Sequence, residues 1–271
     1  MSKYFSILRI NWINALEYRA NALIGLFAIL SGLFIEYQIW SLIFSSNNQT
    51  TISMAGASNP YNFNQLIVFI FLSIIVGQLK SSWVTSSQMI LEIRQGLINK
   101  YLIRPISYFW YHFMMFVGVN SLYIIVYFSL LFLFVFIFPG MLFQTVASFL
   151  GFIFSLLLSI YLSYCIYFIM VCFAFWFGEV RSIVVAYNLG MLMISGQYIP
   201  IRLFPEEVLS VINYTPIPYL VDFPVSIATG LIQSYDWVYS IQYAILWCFI
   251  LTIISLLIYN FGIRKYEAYG Q

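Results

Sequence analysis

The sequence predicts an all-α polytopic membrane protein. It is expected to have six transmembrane helices, an N-terminal amphipathic helix lying in the interface, and an outer re-entrant helical hairpin between the fifth and sixth spans. Three observations carry this. Of the 271 residues, 63% are hydrophobic and 7% charged, with a mean hydropathy of +0.93, far too little charge to cover a soluble surface. Apolar runs near the ~20 residues that a spanning helix needs recur about six times, with one shorter hydrophobic excursion. The basic residues also cluster on one side of the predicted membrane. The whole chain, 1–271, reads as a single transmembrane domain.

Residues 1–19 are too polar for a signal peptide, and no small-residue cleavage site follows. Phe5, Leu8, Trp12, Ala15 and Leu16 form a helical stripe, with Lys3, Arg9, Glu17 and Arg19 around it. This suits a helix in the inner interface; Asn11 and Asn14 argue against hydrocarbon. The first span is expected over about Ala20 to Phe44 and the second over about Gln65 to Trp83. Ser45 to Asn64, between them, is a polar loop without regular pattern.

The polar island 88–107 comes next. Ile90, Ile93, Leu97 and Tyr101 recur at helical spacing, and Leu91, Ile98 and Leu102 widen that face. Glu92, Gln95, Asn99 and Lys100 fall on the other. Pro105 ends the segment, because the residue before proline is pushed out of helical geometry. A short amphipathic helix between two rigid spans can press on a soluble partner, or it can simply rest on lipid headgroups.

The third span is expected over about Tyr108 to Phe138, with a turn at Pro139-Gly140. The fourth, about Phe143 to Phe177, is long enough to tilt or project. After the polar turn Gly178 to Arg181, a short fifth span covers Ser182 to about Tyr198, and the last runs from about Trp237 to Ile263. With the amino terminus inside, Lys3, Arg9, Arg19, Lys80, Arg94, Lys100, Arg104, Arg181, Arg264 and Lys265 are cytoplasmic, 10 of the 11 basic residues, leaving Arg202 outside. Both termini and the 88–107 segment therefore face the cytoplasm.

Residues 199–235 do not read as an ordinary loop. Pro205 followed by Glu206 and Glu207 is a helix start; Thr215 to Pro218 breaks that helix, and a second short one follows Pro224 and stops at Gly230. Neither can span. Broken backbone at membrane depth survives only where protein or water satisfies it, so these half-helices are expected to dip in from the outer side and cover an exit. Gln197, Pro200, Phe204, Pro205 and Leu220 are the gate candidates.

The residues exclude several chemistries. There is no phosphate-cradling Gly-rich loop ending in Lys-Ser/Thr, no paired-histidine metal motif, no nucleophile elbow and no Cys-x-x-Cys. Cys165, Cys172 and Cys248 lie in apolar runs and read as small hydrophobes. His112 is expected to pack at an interface beside Trp110 and Tyr111. No basic patch suits nucleic acid. Glu36, well inside the first span, is costly unless paired, neutralised or facing water. It lines a translocation path, contacts the outer half-helices or reaches the outer headgroups. Gln78, Asn120 and Asn188 are weaker path candidates. Ala28 and Gly32, and Ala186 and Gly190, have the spacing that lets membrane helices approach closely.

Three segments in this order resemble the membrane subunit of ABC-2-type exporters, especially the subgroup with paired dissimilar permeases. They are Met1–Arg19, the run Glu92-Ile-Arg-Gln-Gly-Leu-Ile-Asn-Lys-Tyr-Leu-Ile-Arg-Pro-Ile106, and Gly196-Gln-Tyr-Ile-Pro-Ile-Arg-Leu-Phe-Pro205. The resemblance implies a permease subunit moving a hydrophobic or amphiphilic small molecule, lipid or peptide outward. A lipid-linked polysaccharide is the rival cargo, and a non-transporting membrane scaffold the rival class. It implies coupling to cytoplasmic ABC ATPase subunits through Glu92, Arg94, Gly96, Leu97, Lys100, Tyr101 and Arg104, with ATP and magnesium held in that partner and no cofactor or catalytic residue in this chain. It further implies a second permease, the same chain or a paralogous one, a bacterial cytoplasmic (inner) membrane, and a hairpin over Ile201 to Gly230.

Overall fold

The computed structural model describes residues 2–17, 19–46, 51–52, 61–138, 140–232 and 234–266. In chain order the helices are α1 (Ser2–Glu17), α2 (Arg19–Ser46), α3 (Phe63–Leu79), α4 (Trp83–Arg94), α5 (Asn99–Leu102), α6 (Tyr108–Ile137), α7 (Val146–Cys172), α8 (Ala174–Phe177), α9 (Arg181–Ile194), α10 (Glu206–Asn213), α11 (Asp222–Ala228) and α12 (Ser234–Lys265). Two 3-10 turns, Ile201–Leu203 and Pro218–Leu220, flank α10. Five stretches among the described residues are long and apolar enough to cross a membrane: Ile24–Ser46, Phe63–Arg94, Tyr108–Ile137, Val146–Phe177 and Trp237–Lys265.

The fold is a helical bundle built on α7, whose buried face meets α12 along one side and α11 near its start. Serines let the helices close up. Ser163 Oγ donates to the Lys80 carbonyl at 2.8 Å, and Ser255 Oγ to the Cys165 carbonyl at 3.3 Å. All three cysteines are free and buried.

Helix α1 packs along the first turns of α6. Gly118 makes this possible: a Cβ there would sit 2.8 Å from Asn11 Cβ and 2.9 Å from the Leu8 carbonyl oxygen. Leu8 and Trp12 of the expected stripe are partly covered, whereas Phe5 and Leu16 face outward. Gly118→Val is expected to push α1 off α6 at a cost of about 1–3 kcal/mol. Protease cleavage after the exposed Arg9 should rise several-fold; unchanged cleavage would count against this packing.

Several boundaries differ from the sequence reading. The expected single helix over 88–107 is two helices, α4 and α5, separated at Gly96, whose φ of 74° is left-handed and ends α4. The loop 45–64 carries two short antiparallel strands, β1 (Thr51–Ile52) and β2 (Tyr61–Asn62), where no regular element was expected; 47–50 and 53–60 lie outside the described residues. Of the Pro139-Gly140 turn, Pro139 also lies outside them, and Gly140 has φ 83°. The fourth span starts later, at Val146, behind a Thr145–Ser148 capping box. The fifth helix stops at Ile194 after 14 residues, short of Tyr198. Gly196, with φ 86°, follows it.

Candidate functional site

Two polar assemblies sit at opposite ends of the bundle. The first joins α4, α5 and α6 through Glu92. Its side chain is 4% exposed, so its expected place on the polar, solvated face of the segment is corrected. The reason is local: once Gly96 turns the chain back, α5 lies against α4 and Glu92 falls between them and α6. Lys100 Nζ donates to Glu92 Oε1 at 2.9 Å, Tyr101 OH to the same oxygen at 3.1 Å, and Gln88 Nε2 at 3.4 Å. His112 Nε2 lies 3.0 Å from Glu92 Oε2, and Tyr108 OH donates to that oxygen at 3.5 Å. His112 is fully buried and packs edge-on against Tyr111 at 5.1 Å. An aromatic shell closes the group: Tyr101 meets Tyr108 edge-on at 5.0 Å, and Tyr108 stacks on Tyr259 of α12 at 5.5 Å.

The apolar face of this segment also differs from expectation. Ile90, Ile93, Ile98 and Tyr101 are buried as the spacing implies, but Leu91, Leu97, Leu102 and Ile103 are exposed, Ile103 at 83%. Arg94 reaches across to an ion pair with Glu179, in the turn between α8 and α9. Arg104 is exposed. At this end the apolar Leu91, Leu97, Leu102 and Ile103 and the basic Arg94, Lys100 and Arg104 reach the surface of a segment tied on its inner side by Glu92. Beside it a cleft of about 580 Å³ is lined by Ile93, Gly96, Phe175, Trp176, Lys265 and Tyr266, among others.

The second assembly is built around α11. Every residue from Asp222 to Ala228 is buried, and the helix packs against α7 and α3. Ser159 of α7 donates to the Leu220 carbonyl, and the Phe143 amide to the Ala228 carbonyl at 2.9 Å. Gln197, Pro200 and Leu220 are buried, Phe204 is half-buried and Pro205 is exposed at the head of α10. The Gln197 amide occupies the space left by Gly77, where an added Cβ would lie 2.4 Å from it. Asp222 is 7% exposed. Burial holds its carboxyl above the usual carboxylate range, and the Arg202 charge, the Ile201 amide and Ser226 partly offset this.

The four path candidates are not gathered into one lining. Glu36 accepts from Trp40 Nε1 at 3.1 Å on its own helix, and Gln78 is exposed. Asn120 Nδ2 donates to the Ser81 carbonyl at 3.4 Å, where α3 gives way to α4, and Asn188 accepts from Tyr167 OH. Sequence reasoning missed His112, Tyr108 and Asp222. Only the Glu92–His112 pair carried a signal, a carboxylate and the single histidine flanking one polar island.

A family model described as ABC-2 family transporter protein matches residues 30–270 of this chain. No match was found among curated proteins.

Proposed function

We propose, from the premise that this chain belongs to the ABC-2 family of transporter proteins, that it is the permease subunit of an ATP-driven exporter for a hydrophobic or amphiphilic cargo. The family is a membrane transporter domain rather than an ATPase, and it implies an ABC ATPase partner in general. The observation that carries the finer reading is that Leu91, Leu97, Leu102 and Ile103 are exposed on a segment whose other face is fixed by Glu92. A soluble ATPase, with its own ATP and magnesium, docks there and moves the segment as a rigid unit.

Helix lengths support a placement in the membrane. Helix α3, 17 residues, is about 26 Å long at ~1.5 Å per residue, close to the ~30 Å hydrocarbon layer. Gly118 of α6 lies against the polar helix α1, and Gly25 of α2 lies near Tyr123 and Tyr127 of α6. The inner boundary therefore falls near Lys80, Asn120 and the start of α2. Beyond it α4, α5 and the first turns of α6 form a cytoplasmic stalk. Most basic side chains then face the cytoplasm, as do both termini, in a bacterial inner membrane. Helix α9 and the turn after it make the fifth of six crossings, and 199–235 returns as a re-entrant hairpin whose α11 is wholly enclosed.

A second permease completes the pathway. Gly32 and Gly190, where an added Cβ would meet nothing within 4 Å, leave open helix faces suited to it.

Co-expression with a P-loop ATPase and purification through the permease tests the central claim. A stable complex whose ATPase activity rises with an added amphiphile is expected; a permease that never retains an ATPase would overturn it and favour a scaffold. The gate is tested separately. Cysteines at Phe204 and Leu220 should change their reactivity toward an impermeant external thiol reagent when nucleotide is trapped. Equal labelling in both states would make the hairpin a static cap.

A further inference from the structure

At the α10–α11 end, a cavity of about 420 Å³ is bordered by Arg202, Asn213, Asp222, Tyr219, Phe223 and Tyr243, among others. Arg202 and Asp222 are ionisable, and no ion pair joins either of them to another described residue. Asp222 Oδ2 accepts from Ser226 Oγ at 3.4 Å, while Oδ1 has no hydrogen bond and is shielded from solvent. No carboxylate lies within ion-pair distance of Arg202 among the described residues. Tyr61, whose buried hydroxyl is likewise unpartnered, feels both charges. A buried carboxylate without an ion-pair partner is costly, and Arg202, on the same cavity wall, stands beside it without contact.

We propose that this cavity binds the head of a zwitterionic phospholipid, with an ammonium donating to Asp222 and a phosphate accepting from Arg202. The rest of the wall fits an amphiphile. Tyr219 and Phe223 pack edge-on at 5.5 Å, and Tyr243 belongs to α12, whose outward face carries Tyr239, Leu246 and Phe249. Acyl chains leaving the cavity can follow this spanning helix, which a water-soluble zwitterion would not need. An anionic lipid satisfies Arg202 alone and leaves Asp222 facing a like charge. The inference goes beyond the export reading, since lipid retention is a property of this chain without its ATPase.

The test is native mass spectrometry of the delipidated full-length chain, titrated with palmitoyl-oleoyl phosphatidylethanolamine, the matching phosphatidylglycerol, or glycerophosphoethanolamine. Wild type is expected to prefer phosphatidylethanolamine about tenfold, the size of a good charge-assisted hydrogen bond. Asp222→Asn should bring that preference within about twofold, and Arg202→Gln should weaken both lipids together. Equal affinity of wild type for the two lipids, or an undiminished preference in Asp222→Asn, would overturn the proposal. Displacement of bound lipid by glycerophosphoethanolamine would overturn the lipid source in favour of a soluble zwitterion. Should Asp222→Asn fail to fold, Arg202→Gln decides by itself, and unaltered lipid binding in it refutes the site.

Discussion

Glu92→Ala is expected to loosen the α4–α5–α6 junction and uncouple the chain from any soluble partner docked there. One carboxylate accepts from Lys100, Tyr101, Gln88 and Tyr108 and sits 3.0 Å from His112. Its removal leaves two buried tyrosine hydroxyls without their acceptor and takes the neighbouring carboxylate from a fully buried imidazole. Breaking a buried ionic group from one side costs about 3–5 kcal/mol. Lys100 is half-exposed and regains water, so the lower end, about 3 kcal/mol, is expected. At ~2–4 °C per kcal/mol for a chain of this size, the apparent Tm in detergent should fall by ~6–12 °C. Glu92→Gln keeps the shape and one acceptor oxygen, hence one of the two hydroxyl bonds, and should lose roughly half as much. The Arg94–Glu179 pair makes an internal comparison. Both side chains are over 40% exposed, so Glu179→Gln should leave Tm nearly unchanged, as surface pairs usually do. Equal losses from Glu92→Ala and Glu179→Gln would show that Glu92 is not the tie.

Much of this was legible in the sequence. Long apolar runs mark five helices long enough to cross a membrane, since each backbone group in lipid has to be satisfied within its own helix; the expected fifth span is a helix of 14 residues and is not among them. Pro205 with Glu206 and Glu207 marks the start of α10, and Gly230 at φ 71° follows the end of α11, whose start at Asp222 falls two residues before Pro224 rather than after it. The 88–107 segment shows where legibility stops. Its spacing predicts one helix, with Glu92 opposite Ile90 and Ile93. A left-handed glycine resets the phase of everything after it, and spacing alone does not reveal whether Gly96 continues a helix or turns it. Burial of Glu92 then depends on His112 and Tyr108, partners that sequence periodicity within 88–107 cannot supply. The path candidates illustrate the converse. Glu36 and Asn188 are polar residues in apolar runs, and each accepts a hydrogen bond from a nearby aromatic, Trp40 or Tyr167. Polarity in a span signals a needed partner, and spacing alone does not name it.

Leu97→Asp is the substitution expected to act on partner binding with least effect on the fold. Leu97 is 47% exposed and follows Gly96 in the turn between α4 and α5. It makes little of the core, so a charge there costs the free chain little. In a docked complex the same side chain would be central to an apolar patch with Leu91, Leu102 and Ile103, and a central apolar contact can be worth ~2 kcal/mol or more. An aspartate adds the penalty of burying an unpaired charge in that contact. A loss of at least ~100-fold in ATPase affinity is therefore expected, with Tm within about 2 °C of wild type. Ile103→Asp, at the most exposed member of the patch, should repeat the effect, whereas Ile93→Asp, in the buried face, should destabilise the chain itself. Pull-down of the ATPase from detergent extracts separates these cases. Full retention by both Leu97→Asp and Ile103→Asp would move the docking surface elsewhere, to the cleft between Gly96, Phe175 and Lys265.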